Sequence, residues 1–244
     1  MRLNYSRTGA SGLIYDGHNI SDTFQIVGVS VPLLPTIEAV THDLAQRPGS
    51  YFASRKVGTR EIKVKLRLDA ETRNPMGIFQ AWREVSGIFN CSEPKRLYLN
   101  EDKFCNALLV GETQLEDEAY YGVVELSFLC FDPYFYGMEH ALEIATGNTK
   151  TVNLLGNCPS FPVVNATAKG TVCMVRNNTT GEYVELRNMT SGTAFISDMG
   201  RQLATVGGAY KPVTLLSDFF SIAPGDSIYF SNMAGTLNWR DRWL

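Results

Sequence analysis

Between Arg60 and Leu68 hydrophobic residues fall on every second position: Ile62, Val64, Leu66 and Leu68 alternate with Lys63, Lys65 and Arg67. An extended strand, whose side chains point alternately to opposite faces, puts the four aliphatic groups on one side and the three cations on the other. Such a strand needs neighbours to pair with it and a layer to cover its apolar face. Shorter runs of similar character lie at 13–15, 24–29, 97–99, 104–110 and 123–131, with turns rich in Gly, Asp and Asn between them. The first half of the chain is therefore mainly β.

One segment breaks this pattern. Residues 75–89 carry Ile78, Phe79, Trp82, Val85, Ile88 and Phe89 at helical spacing, with Asn74 placed to cap and Pro75 suited to the first turn. A sheet with one helix packed on it is expected. Between Val31 and Thr59 the chain holds Pro32, Pro35, Pro48, Gly49 and Gly58 among polar residues, a span too long for an ordinary hairpin loop. Residues 32–58 read as an extended arm of the kind that reaches a neighbouring subunit.

The stretch FDPYFYG at 131–137 sets a proline and a glycine around aromatic residues and stops the strand before it. Asp132, Pro133 and Tyr134 thus mark a domain junction, dividing the chain into residues 1–135 and 136–244. Beyond it, short strands are expected at 141–145, 163–168, 172–177, 183–186, 194–197, 203–206 and 227–230, with no helix signal. That spacing reads as a β-sandwich or jelly roll. The closing run, LNWRDRWL at 237–244, reads as a last strand with Leu237, Trp239 and Trp243 on its buried face and Trp243 as its anchor.

The chemistry expected of this chain is sparse. It has 244 residues, 44% of them apolar, enough for one large core or two modest ones. Lys plus Arg number 22 against 25 for Asp plus Glu, so no sequence-specific binding of nucleic acid is expected. Five widely spaced cysteines, Cys91, Cys105, Cys130, Cys158 and Cys173, form no Cys-x-x-Cys pair and suit reduced, buried thiols in a reducing cytoplasm. Residues 1–30 show no basic region followed by an apolar core, and no run of 18 apolar residues occurs, so neither secretion by the usual route nor a membrane span is expected. His18, His42 and His140 stand apart from any metal-ligand or general-base spacing, and Gly207 and Gly208 lack the Lys-Ser/Thr of a phosphate loop and read as a turn. Glu112, Glu116, Asp117 and Glu118 sit between two strands, where a solvated acidic hairpin is the expectation over the paired acids of a glycosidase. No catalytic residue, metal or cofactor is expected, and the chain reads as a non-enzyme.

The densest basic stretch is Arg55, Lys56, Arg60, Lys63, Lys65 and Arg67. Two readings stand side by side: an edge strand guarded by charge against aggregation, and an inter-subunit surface that meets acidic loops.

The order of these elements, the arm with PGSYFASRKVGTREIKVKL, the single helix, FDPYFYG, and the closing SDFFSIAPGDSIYF and LNWRDRWL resemble phage distal tail proteins of siphophages over essentially the whole chain. The resemblance implies a ring of six subunits, built by the N-terminal domains at the end of the tail tube, with room for DNA to pass through it. It also implies a galectin-like C-terminal sandwich and a place in the virion at the tail tip, following synthesis and assembly in the cytoplasm of the bacterial host. The implied partners are the tail tube protein, a tail-tip protein, and receptor-binding or accessory baseplate proteins. Residues 140–236 contain no Trp, so the second domain is read as a docking module. The rival reading, a carbohydrate-binding module for host-surface attachment, would require an exposed aromatic patch beside Asn or Asp on that domain.

Overall fold

The computed structural model describes residues 12–45, 48–68, 75–99, 102–112, 115–118 and 121–244. The chain forms two compact units that divide after Phe135, the second being Tyr136–Trp243. In chain order the first unit holds β1 (Leu13–Tyr15), β2 (His18–Asn19), β3 (Phe24–Ser30), β4 (Ile37–Asp43), β5 (Ser50–Val57), β6 (Arg60–Leu68), α1 (Pro75–Phe89), β7 (Lys95–Leu99), β8 (Phe104–Val110), β9 (Leu115–Glu118) and β10 (Tyr121–Cys130).

The alternating segment is β6, and it is not an edge. It pairs antiparallel with β3 on one side and β10 on the other, so the edge-strand reading of its cations is corrected. Pairing continues from β10 to β8, β7, β1 and β2, with β9 forming a hairpin with β10. Ile62, Val64 and Leu66 are fully buried, facing Tyr15, Phe24, Val124, Leu126 and Phe128 in one core. The sheet curls enough for the Tyr15 ring on β1 to lie 5.4 Å from Phe128 on β10. Helix α1 closes the open side: Phe89 meets both rings at 5.4 and 5.7 Å, and Trp82 lies 4.3 Å from Phe24. The side chains of Ile78 and Phe79 and the capping Asn74 lie outside the described residues.

The expected arm is a two-stranded ribbon. Among the described residues β4 and β5 pair only with each other, with a bulge that sets Thr41 opposite Phe52 while Val40 stands opposite Ser54. Every residue of β4 and all of β5 except Val57 are exposed.

The second unit holds β11 (Phe135–Ile144), whose first residue belongs to the first unit, β12 (Thr149–Thr151), β13 (Val163–Ala168), β14 (Val172–Asn177), β15 (Tyr183–Arg187), β16 (Ala194–Asp198), β17 (Leu203–Val206), β18 (Ala209–Tyr210), β19 (Ser227–Ser231) and β20 (Met233–Trp243). One sheet runs β18-β17-β16-β13-β20-β11 and the other β12-β19-β14-β15. Val164, Ala166, Phe195 and Leu237 of the first and Cys173, Val175, Val184, Ile228 and Phe230 of the second fill the layer between them. The fold is mainly β with antiparallel pairing, as the alternation demands. All five cysteines are free thiols, with Cys105, Cys130 and Cys173 buried.

The closing strand forms, but its anchor is not the expected one. Leu237, Trp239 and Asp241 are buried, whereas Trp243 is only half-buried and lies across Gly137, where a Cβ would meet its ring at 2.5 Å. Parity was read correctly; what it could not show is that the core ends one residue pair before the chain does. Trp239→Ala should therefore destabilise the second unit by about 3–5 kcal/mol. Trp243→Ala should cost clearly less, both measured by urea unfolding followed by circular dichroism.

Candidate assembly surface

The root of the arm is tied down by backbone bonds: the Thr36 amide donates to the Thr59 carbonyl at 3.1 Å, and the Gly58 amide to the Thr36 carbonyl at 2.7 Å. Beside it sits Arg60, only 2% exposed. Arg60 has the same parity as Ile62 and Val64, so its side chain points inward, and this parity was the signal that separates it from the other cations. Its Nε donates to the Pro133 carbonyl and its Nη1 to the Pro32 carbonyl, each at 3.0 Å, while the guanidinium lies 4.9 Å from the Phe135 ring centre. Burial pushes its pKa down from the ordinary arginine value, against an upward push from the neighbouring Cys130 and Cys105 thiols. A hydrogen bond to Cys130, together with burial, holds the Cys105 thiol far above its usual range. Arg60 is thus a clamp between the start of the arm and the turn after β10, not a surface charge.

The other cations do face outward. Lys63 lies 3.8 Å from Glu61 and 3.9 Å from Glu125, Lys65 lies 3.1 Å from Glu125, and the Arg67 Nη2 donates to Gln25 Oε1 at 2.5 Å. This face already carries its own counter-charges. Arg55 and Lys56 stand apart from it, on the exposed arm, opposite Ala39 and Glu38. The arm also displays apolar groups in water: Tyr51 is 58% and Phe52 65% exposed, and Leu33, at the approach to the arm, 89%. Apolar side chains gathered on a ribbon that contributes nothing to its own core mark an interaction surface.

No constellation for chemistry emerges among the described residues, which hold no group of three or more His, Cys, Asp or Glu placed to bind a metal ion. His18 and His42 are exposed on β2 and β4. His140 on β11 meets Asp241 on β20, Nε2 to Oδ2 at 2.7 Å, and stacks on Trp239; the other Asp241 oxygen accepts from the Leu155 amide. Sequence reasoning missed this pair, whose members are 101 residues apart. It closes a buried carboxylate rather than activating a nucleophile. Glu116, Asp117 and Glu118 lie on β9 of a hairpin with β10. Asp132, Pro133 and Tyr134 fall between β10 and β11, where the buried Pro133 supplies the carbonyl that Arg60 holds.

Comparison with known proteins gives a consistent set of matches. Residues 16–130 match the model of the phage tail protein RIFT-related domain, and residues 155–243 that of the siphovirus-type tail component, C-terminal domain. The distal tail protein of Bacillus phage SPP1 is 21% identical over 95% of this chain and 95% of its own length. The crystal structure of SPP1 Dit, described as a paradigm of hub adsorption apparatus in phages infecting Gram-positive hosts, superposes with a TM-score of 0.82 at 15% identity, covering 96% of this chain and 99% of that one. A chain of the phage P2 baseplate in its activated conformation gives a TM-score of 0.52 at 10% identity, with 93% of each chain covered. At these identities the structural likeness is one of fold.

Burial separates the cations of β6 energetically. Arg60→Met, which leaves the buried Pro133 carbonyl without its donor, should cost roughly 1.5–3 kcal/mol for that lost bond to the charged group, and less for the bond to the exposed Pro32. Lys63→Ala and Lys65→Ala should each change stability by less than about 1 kcal/mol, since exposed ion pairs contribute little. Urea unfolding of the three variants checks both expectations.

Proposed function

We propose that this chain, which belongs to the family of phage distal tail proteins, forms a closed ring of six copies that joins the tail tube to the parts beneath it. It is a structural component of the virion, located at the tail tip. In the proposed arrangement the first unit, residues 1–135, builds the ring, and the arm at about 32–58 lies on the neighbouring subunit. The second unit, residues 136–244, holds receptor-binding or accessory baseplate proteins. The tail tube protein stacks on one side of the ring and a tail-tip protein on the other, and DNA passes through the opening. The protein acts by assembly and catalyses no reaction.

The observation that carries this reading is the exposed ribbon β4–β5 with Tyr51 and Phe52 in solvent. A surface of this kind on one side of a subunit, received by a different surface on the next, makes a head-to-tail contact, and such contacts close into rings when the rotation permits. SPP1 Dit, described as a hub, supports the same reading by its fold. Lys63 and Lys65 are neutralised within the subunit. The basic residues assigned to the subunit interface are therefore Arg55 and Lys56 on the arm above all, with Arg67 on the separate outer face of β6 and Arg60 acting indirectly by fixing the root of the arm.

Light scattering and negative-stain imaging of the full chain should give a six-fold ring. Deleting residues 37–57, with Thr36 joined to Gly58, should leave the melting temperature near that of the parent and yield monomers. A two-fold dimer in assembled tails, or a deletion variant that still forms rings, would overturn the proposal.

A further inference from the structure

The most exposed apolar side chains of the second unit sit at the tip of one turn: Leu215 is 100% and Leu216 75% exposed. They are the two central residues of a four-residue turn, closed by the Ser217 amide donating to the Thr214 carbonyl at 2.9 Å. The turn is fastened to β15, the outer strand of its sheet. The Thr214 amide donates to the Glu185 carbonyl at 3.0 Å, the Glu185 amide to Ser217 Oγ at 3.0 Å, and the Asp218 amide to the Tyr183 carbonyl at 2.8 Å. The Thr214 and Ser217 hydroxyls also bond to each other at 2.8 Å. Polar groups thus hold the base of a turn whose tip is purely aliphatic, and the two leucines project from it in a fixed direction.

The other sheet of the same unit carries an open cavity of about 440 Å3, lined by Asn165, Thr167, Ala194, Ile196, Thr205 and the Gly207-Gly208 turn among others, with no charged residue in the lining. Asn165, Thr167, Ala194 and Ile196 have the parity opposite to the buried Val164, Ala166 and Phe195, so the cavity opens on the face turned away from the core. Gly207 and Gly208, at φ +57° and +82°, turn the chain between β17 and β18 in two residues and leave that rim without side chains. The volume is about three times the ~150 Å3 that admits a benzene-sized group, which is room for both leucine side chains.

We infer that the Leu215-Leu216 turn of one copy seats in this cavity of the next, so that second units dock head to tail. Knob and cavity match in chemistry: two uncharged aliphatic groups meet an uncharged recess, and neither side leaves a charge without water. A copy cannot satisfy itself, because the turn hangs from β15 in one sheet and the cavity opens on the outer face of the other, and no residue of the turn lines it. Each copy therefore offers one knob and one cavity on different sides, which is the arrangement of a heterologous contact that repeats from subunit to subunit. The placing of copies side by side rests on the ring reading, and tethering in a ring raises the effective concentration of one second unit at the next. The contact itself does not involve the arm.

A full-length double variant, Leu216→Cys with Ile196→Cys, oxidised with copper phenanthroline, tests the docking. Non-reducing gels should show covalent multimers extending past the dimer, about tenfold or more above the parent and above each single variant, because one knob and one cavity per copy let the cross-linked chain grow. Adding Leu215→Asp should lower this ladder about tenfold or more while the melting temperature stays at that of the double variant, since Leu215 is fully exposed. Cross-linking no greater than in the single variants, or a ladder indifferent to Leu215→Asp, overturns the inference and leaves knob and cavity to other partners. Light scattering and negative-stain imaging of the same preparations read the ring separately. Rings without a ladder sink the docking alone, and a ladder without six-fold rings sinks the ring alone.

Discussion

A single buried guanidinium fixes where the first unit ends and where its arm begins. Arg60 sits at the start of the central strand β6, removed from water, and its charge is answered by the carbonyls of Pro32 and Pro133 and the face of Phe135 rather than by a carboxylate. Burying a cation is unfavourable unless dipoles replace its hydration. Here the replacement dipoles come from two prolines distant in sequence. Neither proline has an amide hydrogen to donate elsewhere, and each fixes its own φ. The arrangement makes the direction of the arm a property of the core. Moving the root of β4–β5 would break the bond to Pro32 and leave the guanidinium short of an acceptor.

Much of the fold was legible because strands and helices announce themselves by period. The segments at 13–15, 104–110, 163–168, 172–177 and 203–206 carry inward residues whose parity is visible in the sequence, and α1 shows its stripe at helical spacing. Boundaries were read well where glycine, proline or asparagine stops an element, as at Phe89-Asn90 and Asp132-Pro133. What failed was reading position within a sheet from a strand alone. The cations of β6 suggested an edge, yet pairing partners on both sides come from β3 and β10, more than thirty residues away in either direction. Charge on the outer face of a two-sided strand and charge on an edge strand look the same in one dimension.

The functional surfaces divide in the same way. The arm was legible, since its prolines and glycines and its length ruled out an ordinary loop. Arg60 was recognised as basic but not as buried, although its parity with Ile62 carried that information. The His140–Asp241 pair was not legible, because it is assembled between strands whose order the sequence does not show. Local chemistry is written along the chain; convergent chemistry is written across the sheet.

The bulge in the arm has a consequence for how this protein can change over evolutionary time. By inserting one unpaired residue between Phe52 and Ser54, it turns Phe52 to the side of the ribbon that carries Ile37, Ala39 and Val57, and leaves Glu38, Lys56 and Ser54 on the other. The offset thus decides which side the residues beyond it join: Phe52 falls with Thr41 and Arg55, and Tyr51 with His42 and Val40. Substitutions on either side adjust what the ribbon meets, one residue at a time. An insertion or deletion of a single residue in one strand between the bulge and the base would move every residue of that strand beyond it to the opposite side at once. Length variation along that part of the ribbon is therefore quantised in steps of two, while its composition is free to drift.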